Sequence, residues 1–200
     1  QPDYYYVSAC LGREKIRFSE YRTGEKPTDY ARMCPEEERW LVLRSARDYA
    51  EWFYGEIEGA MATRPEYELA SRPALGERLV YTGLPIDISE LRERPFDAGG
   101  KLRILVGGRA SMEVRDGVEE MREAARQVAA KHPDDVEVEY VADLPWLEYL
   151  EKASEAHIVM GRLNGYSPGR ESLSVLAMGR VAATGAQPEF YEALGDGETR

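Results

Sequence analysis

Two glycine-rich segments carry the groups in this sequence that are best suited to binding an anion. The first reads Val106-Gly107-Gly108-Arg109-Ala110-Ser111, and Arg115 follows it. Glycines after an apolar run let a backbone approach a ligand, and the first turn of a following helix offers N–H groups to an anion. The guanidinium groups of Arg109 and Arg115 can add charge-assisted hydrogen bonds to a diphosphate. The alternative is an ordinary tight turn beside a surface arginine, because the segment matches neither GxGxxG nor a P-loop.

The second segment, residues 161–172, reads Gly-Arg-Leu-Asn-Gly-Tyr-Ser-Pro-Gly-Arg-Glu-Ser. Gly169 and the N–H groups of the helix that follows can hold a second edge of the same anion, and Arg170 can pair with phosphate. Tyr166 can stack on a sugar or a base, and Ser167 can help to orient it. The alternative is an extended loop that only caps the following helix.

The hydrophobic pattern in the second half of the chain predicts the strands and helices that position both segments. Strands are predicted at 102–106, 136–141, 156–160 and 181–184, with helices at about 114–131, 145–154, 170–179 and 188–194. Apolar strands separated by helices are typical of parallel βαβ units, in which ligands bind outside the carboxyl ends of the strands. We therefore expect the segments after Val106 and Met160 to meet at one edge of a parallel sheet.

The first half predicts a mostly helical partial domain. Residues 1–34 are polar and rich in tyrosine, with a strand at 15–21, and the Tyr4-Tyr5-Tyr6 run is assigned to a half-buried strand or to packing. A long amphipathic helix is predicted over 36–61, because it starts with Pro-Glu-Glu-Glu and its apolar residues recur at steps of three and four. A helix at 65–71, a strand at 78–82 and a linker follow. We place the domains at 1–90 and 91–200.

Composition excludes several classes of function. The formal net charge of −11 is spread over both halves, which disfavours a nucleic-acid partner. The cysteines, Cys10 and Cys34, lack the spacing of a zinc or redox motif, and we expect reduced thiols in a cytoplasmic protein. No apolar run approaches the roughly 20 residues that span a bilayer, which leaves only peripheral contact with a membrane open.

Side-chain sets typical of metal sites or of nucleophilic catalysis are not evident. The chain has two histidines. His157 lies inside an apolar run, where a hydrogen-bonded core histidine is the expected role, and His132 lies at a helix end, where a cation suits the dipole. We therefore expect no metal and no cofactor, and the sequence identifies no catalytic residue.

Three segments resemble parts of one enzyme family. They are Tyr-Thr-Gly-Leu-Pro-Ile-Asp at 81–87, Arg-Ile-Leu-Val-Gly-Gly-Arg at 103–109 followed by Arg115-Asp116-Gly117, and Leu-Ser-Val-Leu-Ala-Met-Gly-Arg-Val at 173–181. Residues 77–195 thereby resemble the donor-binding C-terminal domain of B-type glycosyltransferases, which have two Rossmann-like domains, and in particular the retaining family-4-like group. The third segment resembles the family signature L-E-A-M-A-x-G-x-P-V.

The resemblance implies a fold and a set of donor-binding residues. The fold is α/β, a Rossmann-like parallel sheet with flanking helices, preceded by the end of the acceptor-side N-terminal domain. The donor diphosphate would contact Gly107, Gly108, Arg109, Arg115, Gly169 and Arg170. Arg115 would take the place of a basic residue that is usually lysine in the family, one residue out of register.

The sequence departs from the family at two carboxylates. The family has a pair of glutamates eight positions apart beside the donor, and Tyr166 and Ser174 occupy those positions here. Glu171, one helical turn before Ser174, is the carboxylate nearest in sequence. The expected contacts to the donor sugar or base are therefore Tyr166, Ser167, Glu171 and Ser174. About four strand–helix units are predicted where the family domain has about six, so we expect a truncated domain.

These observations lead to one expected function and two alternatives. The expected function is a glycosyltransferase, or a fragment of one, that moves a sugar from a nucleotide-diphosphate-sugar to a glycan or polysaccharide acceptor without a metal. The first alternative is a degenerate, non-catalytic domain that binds a nucleotide or glycan, which the missing glutamates favour. The second is another α/β enzyme such as a sugar-phosphate epimerase or isomerase, which the lack of an acid–base pair disfavours.

Overall fold

The computed structural model describes residues 3–11, 16, 18–24, 26–33, 44–89, 91, 95, 99–187 and 190–191. The chain divides into two compact units. The first unit comprises Gln1–Pro85 with Ala186–Arg200, and the second unit comprises Ile86–Gly185. One division thus falls after residue 85 and a second after residue 185, and the domain boundary after residue 90 stays a prediction.

The second unit is an α/β layer structure around a four-stranded parallel sheet. Its strands are β6 (Leu102–Gly108), β7 (Val136–Ala142), β8 (Ile158–Met160) and β9 (Val181–Ala183). Its helices are α5 (Glu113–Asp116), α6 (Val118–Lys131), α7 (Trp146–Glu155) and α8 (Arg170–Ala177). The strand order is β7-β6-β8-β9, so the predicted parallel βαβ units are confirmed, and the arrangement is compatible with a Rossmann-like fold.

Helices cover both faces of this sheet. Ile104 and Val106 of β6 pack with Val118 and Met121 of α6 on one face. Leu105 lies on the other face, in a cluster that α7 and α8 share. The alternation follows from the two-residue period of a strand, and burial on both faces explains why residues 104–106 of β6 are continuously apolar.

Gly107 and Gly108 belong to β6 itself, which corrects the prediction that the strand ends at Val106. A Cβ added to Gly107 would lie 2.7 Å from Cγ2 of Val141, and one added to Gly108 would lie 3.3 Å from Cγ2 of Val118. Both glycines therefore allow close packing within the sheet and its helix layer. They are not exposed in a loop after the strand.

The predicted helix over 114–131 is interrupted at Gly117. A 3₁₀ turn (Ala110–Met112) leads into α5, and Gly117, at φ +70°, separates α5 from α6. A Cβ at Gly117 would lie 3.0 Å from Nδ2 of Asn164, so both the backbone angle and the space require glycine. The apolar periodicity of the sequence continues across Gly117, so the periodicity does not reveal the break.

The first unit contains two small sheets and four helices in its described residues. The helices are α1 (Tyr4–Leu11), α2 (Asp29–Met33), α3 (Arg44–Glu56) and α4 (Pro65–Leu75). Strands β1 (Phe18–Ser19), β2 (Arg22–Thr23) and β3 (Lys26–Pro27) form an antiparallel sheet, and β4 (Ala60–Ala62) pairs in parallel with β5 (Leu79–Tyr81). Ala62 and Leu79 pack with Leu75 of α4, which makes β4-α4-β5 a further βαβ unit.

Two expectations for the first unit are corrected. Tyr4-Tyr5-Tyr6 begins helix α1 and is not a strand, whereas the alternative of a packing role is confirmed by the buried Tyr6. The predicted helix over 36–61 is described from Arg44 and ends at Glu56, because Ala60–Ala62 pairs with β5. Residues 34–43 lie outside the described part of the chain, as does most of the helix predicted at 188–194.

The predicted short helix and strand of this region are confirmed. The helix at 65–71 extends to Leu75, and the strand at 78–82 is β5. None of the helices among the described residues has the length and apolar content that crossing a membrane requires.

Candidate functional site

The strand order of the second unit reverses between β6 and β8. From β6 the chain moves to β7 on one side and then crosses back to β8 and β9 on the other. Val106 is in register with Met160, so the carboxyl ends of β6 and β8 lie side by side. Open parallel sheets bind ligands in the crevice at such a reversal. The candidate site therefore lies between the first loop (residues 109–117, after β6) and the second loop (residues 161–169, after β8).

The two loops are hydrogen-bonded to each other. The main-chain carbonyl of Asp116 accepts the N–H of Leu163 at 2.8 Å and the N–H of Asn164 at 3.2 Å. Gly117 makes this approach possible, because a side chain there would occupy the space of Asn164. The expected meeting of the two segments at one edge of the sheet is thus confirmed.

Charged side chains also join the two loops. Nε of Arg162 lies 3.4 Å from Oδ1 of Asp116 and donates to the carbonyl of Asn164 at 2.9 Å. Nε of Arg115 lies 3.9 Å from the same carboxylate oxygen. These side chains are largely buried, so solvent screens their interaction less than it screens a surface ion pair. The first loop therefore supplies a carboxylate that both guanidinium groups approach.

Asp143 accepts a hydrogen bond from one of the main-chain N–H groups that the sequence assigned to an anionic ligand. Its Oδ1 accepts the N–H of Ala110 at 3.1 Å, and its own N–H donates to the carbonyl of Gly108 at 3.1 Å. Asp143 adopts φ +52°, the only positive φ at a non-glycine residue in the described chain. Its position after a predicted strand indicated a helix cap or a contact to a ligand, but its side chain holds the start of the first loop and does not cap helix α7. Arg109 lies exposed beside it.

The end of β9 anchors the second loop. The carbonyl of Arg162 accepts the N–H of Gly185 at 2.8 Å and the hydroxyl of Thr184 at 2.9 Å. A Cβ at Gly185 would lie 2.2 Å from the carbonyl oxygen of Leu163, so only glycine fits. The loop is thus held from two neighbouring strand ends.

The expected sugar- or base-binding residues of the second loop and α8 differ in exposure. Tyr166, Ser167 and Ser174 are all buried, and Tyr166 is only 2% exposed. In this arrangement the Tyr166 ring has no open face for a sugar or base. Glu171 is exposed at the start of α8 and so does not take the buried position of Ser174. Its charge contributes to raising the pKa of Tyr149, after the larger effect of burial.

Arg170 is exposed at the first position of α8, directly after the buried Gly169. Its guanidinium carbon lies 4.2 Å from the ring centroid of Trp146, the first residue of α7. A cation over an indole face is attracted by the ring quadrupole. This contact fixes the direction of Arg170 beside the second loop.

Two residues at the candidate site were given no role by sequence reasoning: Asp116 and Arg162. Asp116 lies inside the Arg-Asp-Gly sequence that the resemblance singled out, which was the available signal for it. Arg162 was visible as a cation directly after a strand. For Asp143, only the bond to the distant N–H of Ala110 was not predictable from the sequence.

The histidines fulfil the structural roles expected of them. His157 is buried, and its Nδ1 accepts the N–H of Arg103 at 2.9 Å, which joins β8 to β6. His132 ends α6. Among the described residues, no three His, Cys, Asp or Glu side chains converge as a metal site.

Comparisons with known proteins leave the family open. No protein-family model matches the sequence, and no curated protein matches it.

Proposed function

We propose that this chain is a glycosyltransferase, or a fragment of one, whose second unit binds the nucleotide-diphosphate-sugar donor. The observation that carries the proposal is the position of two arginine-bearing loops on either side of the strand-order reversal between β6 and β8. The resemblance of residues 77–195 to the donor-binding domain of B-type glycosyltransferases supports the same assignment. We also propose that the fold of the second unit is that of this donor-binding domain.

The arginines around the reversal supply the chemistry that the donor requires. When the glycosidic bond to the nucleotide breaks, negative charge develops on the leaving diphosphate. Guanidinium groups held in advance around that charge stabilise the transition state more than the ground state. In the proposed mechanism Arg109 and Arg115 neutralise the leaving group, and Arg170, oriented by Trp146, binds its other edge.

A donor-binding domain without turnover is the second candidate, and one observation favours it. The two positions that carry glutamates in the family hold Tyr166 and Ser174, and both side chains are buried. The exposed Glu171 does not occupy either position. On this alternative the second unit binds a nucleotide diphosphate and does not transfer the sugar.

A thermal-shift screen tests both candidates. The panel consists of UDP, GDP, CDP and their sugar conjugates, with the matching nucleoside monophosphates as controls. Ligand at 100 times its Kd stabilises a folded protein by about 2.7 kcal/mol, which gives a clear rise in Tm. We expect one diphosphate and its sugar to stabilise the chain, and the monophosphate to act weakly.

Turnover separates the two candidates. Release of nucleotide diphosphate from the stabilising sugar conjugate, followed over hours, supports the transferase. Tight binding without release supports the binding domain. Absence of a shift across the whole panel overturns both.

A further inference from the structure

A carboxylate lies where the proposed diphosphate site should be most positive. Asp116 is the last residue of α5, within the first loop, and its Oδ1 lies near both Arg162 and Arg115. By simple electrostatics a negative side chain in this place weakens the binding of a polyanion. Its presence therefore needs a role that outweighs the repulsion.

The contacts of Asp116 provide that role. Its main-chain carbonyl accepts two N–H groups of the second loop, those of Leu163 and Asn164. Its side chain lies 3.4 Å from Nε of Arg162, a residue whose own carbonyl is bonded to the end of β9. Asp116 thus contacts the second loop through backbone and side chain together.

We propose that Asp116 is a positioning residue of the diphosphate site: through Arg162 it holds the second loop against the first without contacting the ligand. The inference rests on the proposed function, because it names the residue on which the geometry of that same site depends. An ionised carboxylate offers a phosphate oxygen no hydrogen-bond donor, so Asp116 is assigned no direct contact with the diphosphate. Arg162, which the resemblance did not assign, is the side chain through which it acts.

The direction in which Asp116→Asn changes the affinity for a diphosphate distinguishes a positioning role from simple repulsion. Asp116→Asn removes the charge and keeps the main-chain carbonyl and the size of the side chain. If Asp116 only repels the ligand, the variant binds the diphosphate more tightly than wild type. If Asp116 positions the second loop, the variant binds roughly fivefold to tenfold more weakly, since charge-assisted contacts of the ligand are misaligned.

The matched control is Glu120→Gln, which removes one negative charge from the exposed side of α6. It changes the net charge of the second unit by the same amount as Asp116→Asn. No described side-chain hydrogen bond joins Glu120 to either loop. We expect it to bind as tightly as wild type or slightly more tightly. Equal weakening in both variants overturns the positioning role.

Arg162→Gln and the double variant test the route through Arg162. Residues that act through one another give non-additive effects, so the double variant should bind no more weakly than Arg162→Gln alone. Additive losses would place Arg162 and Asp116 in independent roles and overturn the proposal. Arg162→Gln also keeps the test decisive if Asp116→Asn does not fold, because it breaks the same ion pair from the other side.

The experiment is isothermal titration of UDP, GDP and CDP into wild type and the four variants, with Tm and far-UV circular dichroism to verify folding. Binding of a diphosphate to wild type, with Asp116→Asn folded and about tenfold weaker, supports the inference. Binding to wild type with Asp116→Asn equal or tighter overturns this inference and leaves the proposed function standing. Failure of wild type to bind any of the three overturns the proposed function, and the inference with it.

Discussion

Oδ1 of Asp143 accepts the N–H of Ala110 at 3.1 Å, although Asp143 must adopt φ +52° to place its side chain there. A carboxylate thereby binds a main-chain N–H next to Arg109, at the edge of the sheet where a diphosphate is proposed to bind. Aspartate tolerates the left-handed region better than most residues, and its short side chain can bond to nearby backbone. The start of the first loop is therefore held by an internal anion.

Asp143→Asn should raise diphosphate affinity by a few-fold. The amide oxygen still accepts the N–H of Ala110, while the negative charge beside the proposed site is removed. Titration of UDP, GDP and CDP against wild type measures the effect. Asp143→Ala is the control, because it removes the charge and the hydrogen bond together. That variant should lower the free energy of unfolding by about 1 kcal/mol. Weaker binding by Asp143→Asn would show that the charge itself is needed.

Arg109→Ala should weaken diphosphate binding by more than tenfold. Arg109 is exposed at the end of β6, and a charge-assisted contact with a desolvated ligand contributes about 1.5–3 kcal/mol. The matched control is Lys101→Ala at the amino end of the same strand, where Nζ donates to the carbonyl of Pro133. It removes one positive charge far from the loops and should leave affinity within about twofold, as expected for a screened, distant charge. Equal losses would remove Arg109 from the site.

Gly107→Ala should destabilise the second unit by about 1–3 kcal/mol, as expected for overpacking in a close-packed core. The added Cβ would lie 2.7 Å from Cγ2 of Val141, which is paired backbone-to-backbone with Gly107 in β7. Gly108→Ala is the matched control on the opposite face, where the nearest atom is 3.3 Å away and a smaller loss is expected. Urea unfolding measures both. Equal stability of Gly107→Ala and wild type would contradict the packing role and restore the view that the glycine serves ligand approach.

The strands and their parallel order were predictable because apolar runs alternated with amphipathic helices at short spacing. That pattern is local, and it correctly implied that the segments after Val106 and Met160 meet. The break at Gly117 was not predicted, because the apolar periodicity continues across it and only the structure shows that Gly117 adopts φ +70°. The same holds for Ala60–Ala62, since alanine favours a helix and only the pairing with β5 makes this segment a strand.

Two cations of the candidate site, Arg109 and Arg170, could be placed from the sequence, whereas the contacts of Arg162, Asp116 and Asp143 could not. Arg109 and Arg170 follow predicted strand–helix boundaries, so their positions could be inferred from periodicity. The carboxylate of Asp143 accepts the N–H of Ala110, and the carboxylate of Asp116 lies beside the guanidinium of Arg162. Both partners are distant in sequence, and no local pattern marks such contacts. Tyr166 was expected to face a ligand because of its residue type, whereas tertiary packing buries it.

Alkaline pH should destabilise the first unit through Cys10. Burial raises the pKa of the Cys10 thiol from 9.0 to about 12, and the nearby charge of Glu20 adds to the increase. The unfolded chain therefore loses this proton at a lower pH than the folded chain. The stabilising contribution is complete below pH 9 and is lost as the pH rises through about 12. Burial also raises the pKa of Tyr54, from 10.0 to about 12, which adds to the loss over the same range.

The test compares the free energy of urea unfolding at pH 8 and pH 11 in two proteins, both carrying Cys34→Ser. With Cys10 present, the decrease between the two pH values should be larger by about 2.7 kcal/mol than with Cys10→Ala, since pH 11 lies two pH units above the ordinary pKa of 9.0 and each unit corresponds to about 1.4 kcal/mol. Cys10→Ala leaves a cavity and lowers stability at both pH values, so the difference between the pH values is the informative quantity. An identical decrease in the two proteins would mean that the Cys10 thiol titrates alike in the folded and unfolded chain, and that the alkaline loss comes from the tyrosines alone.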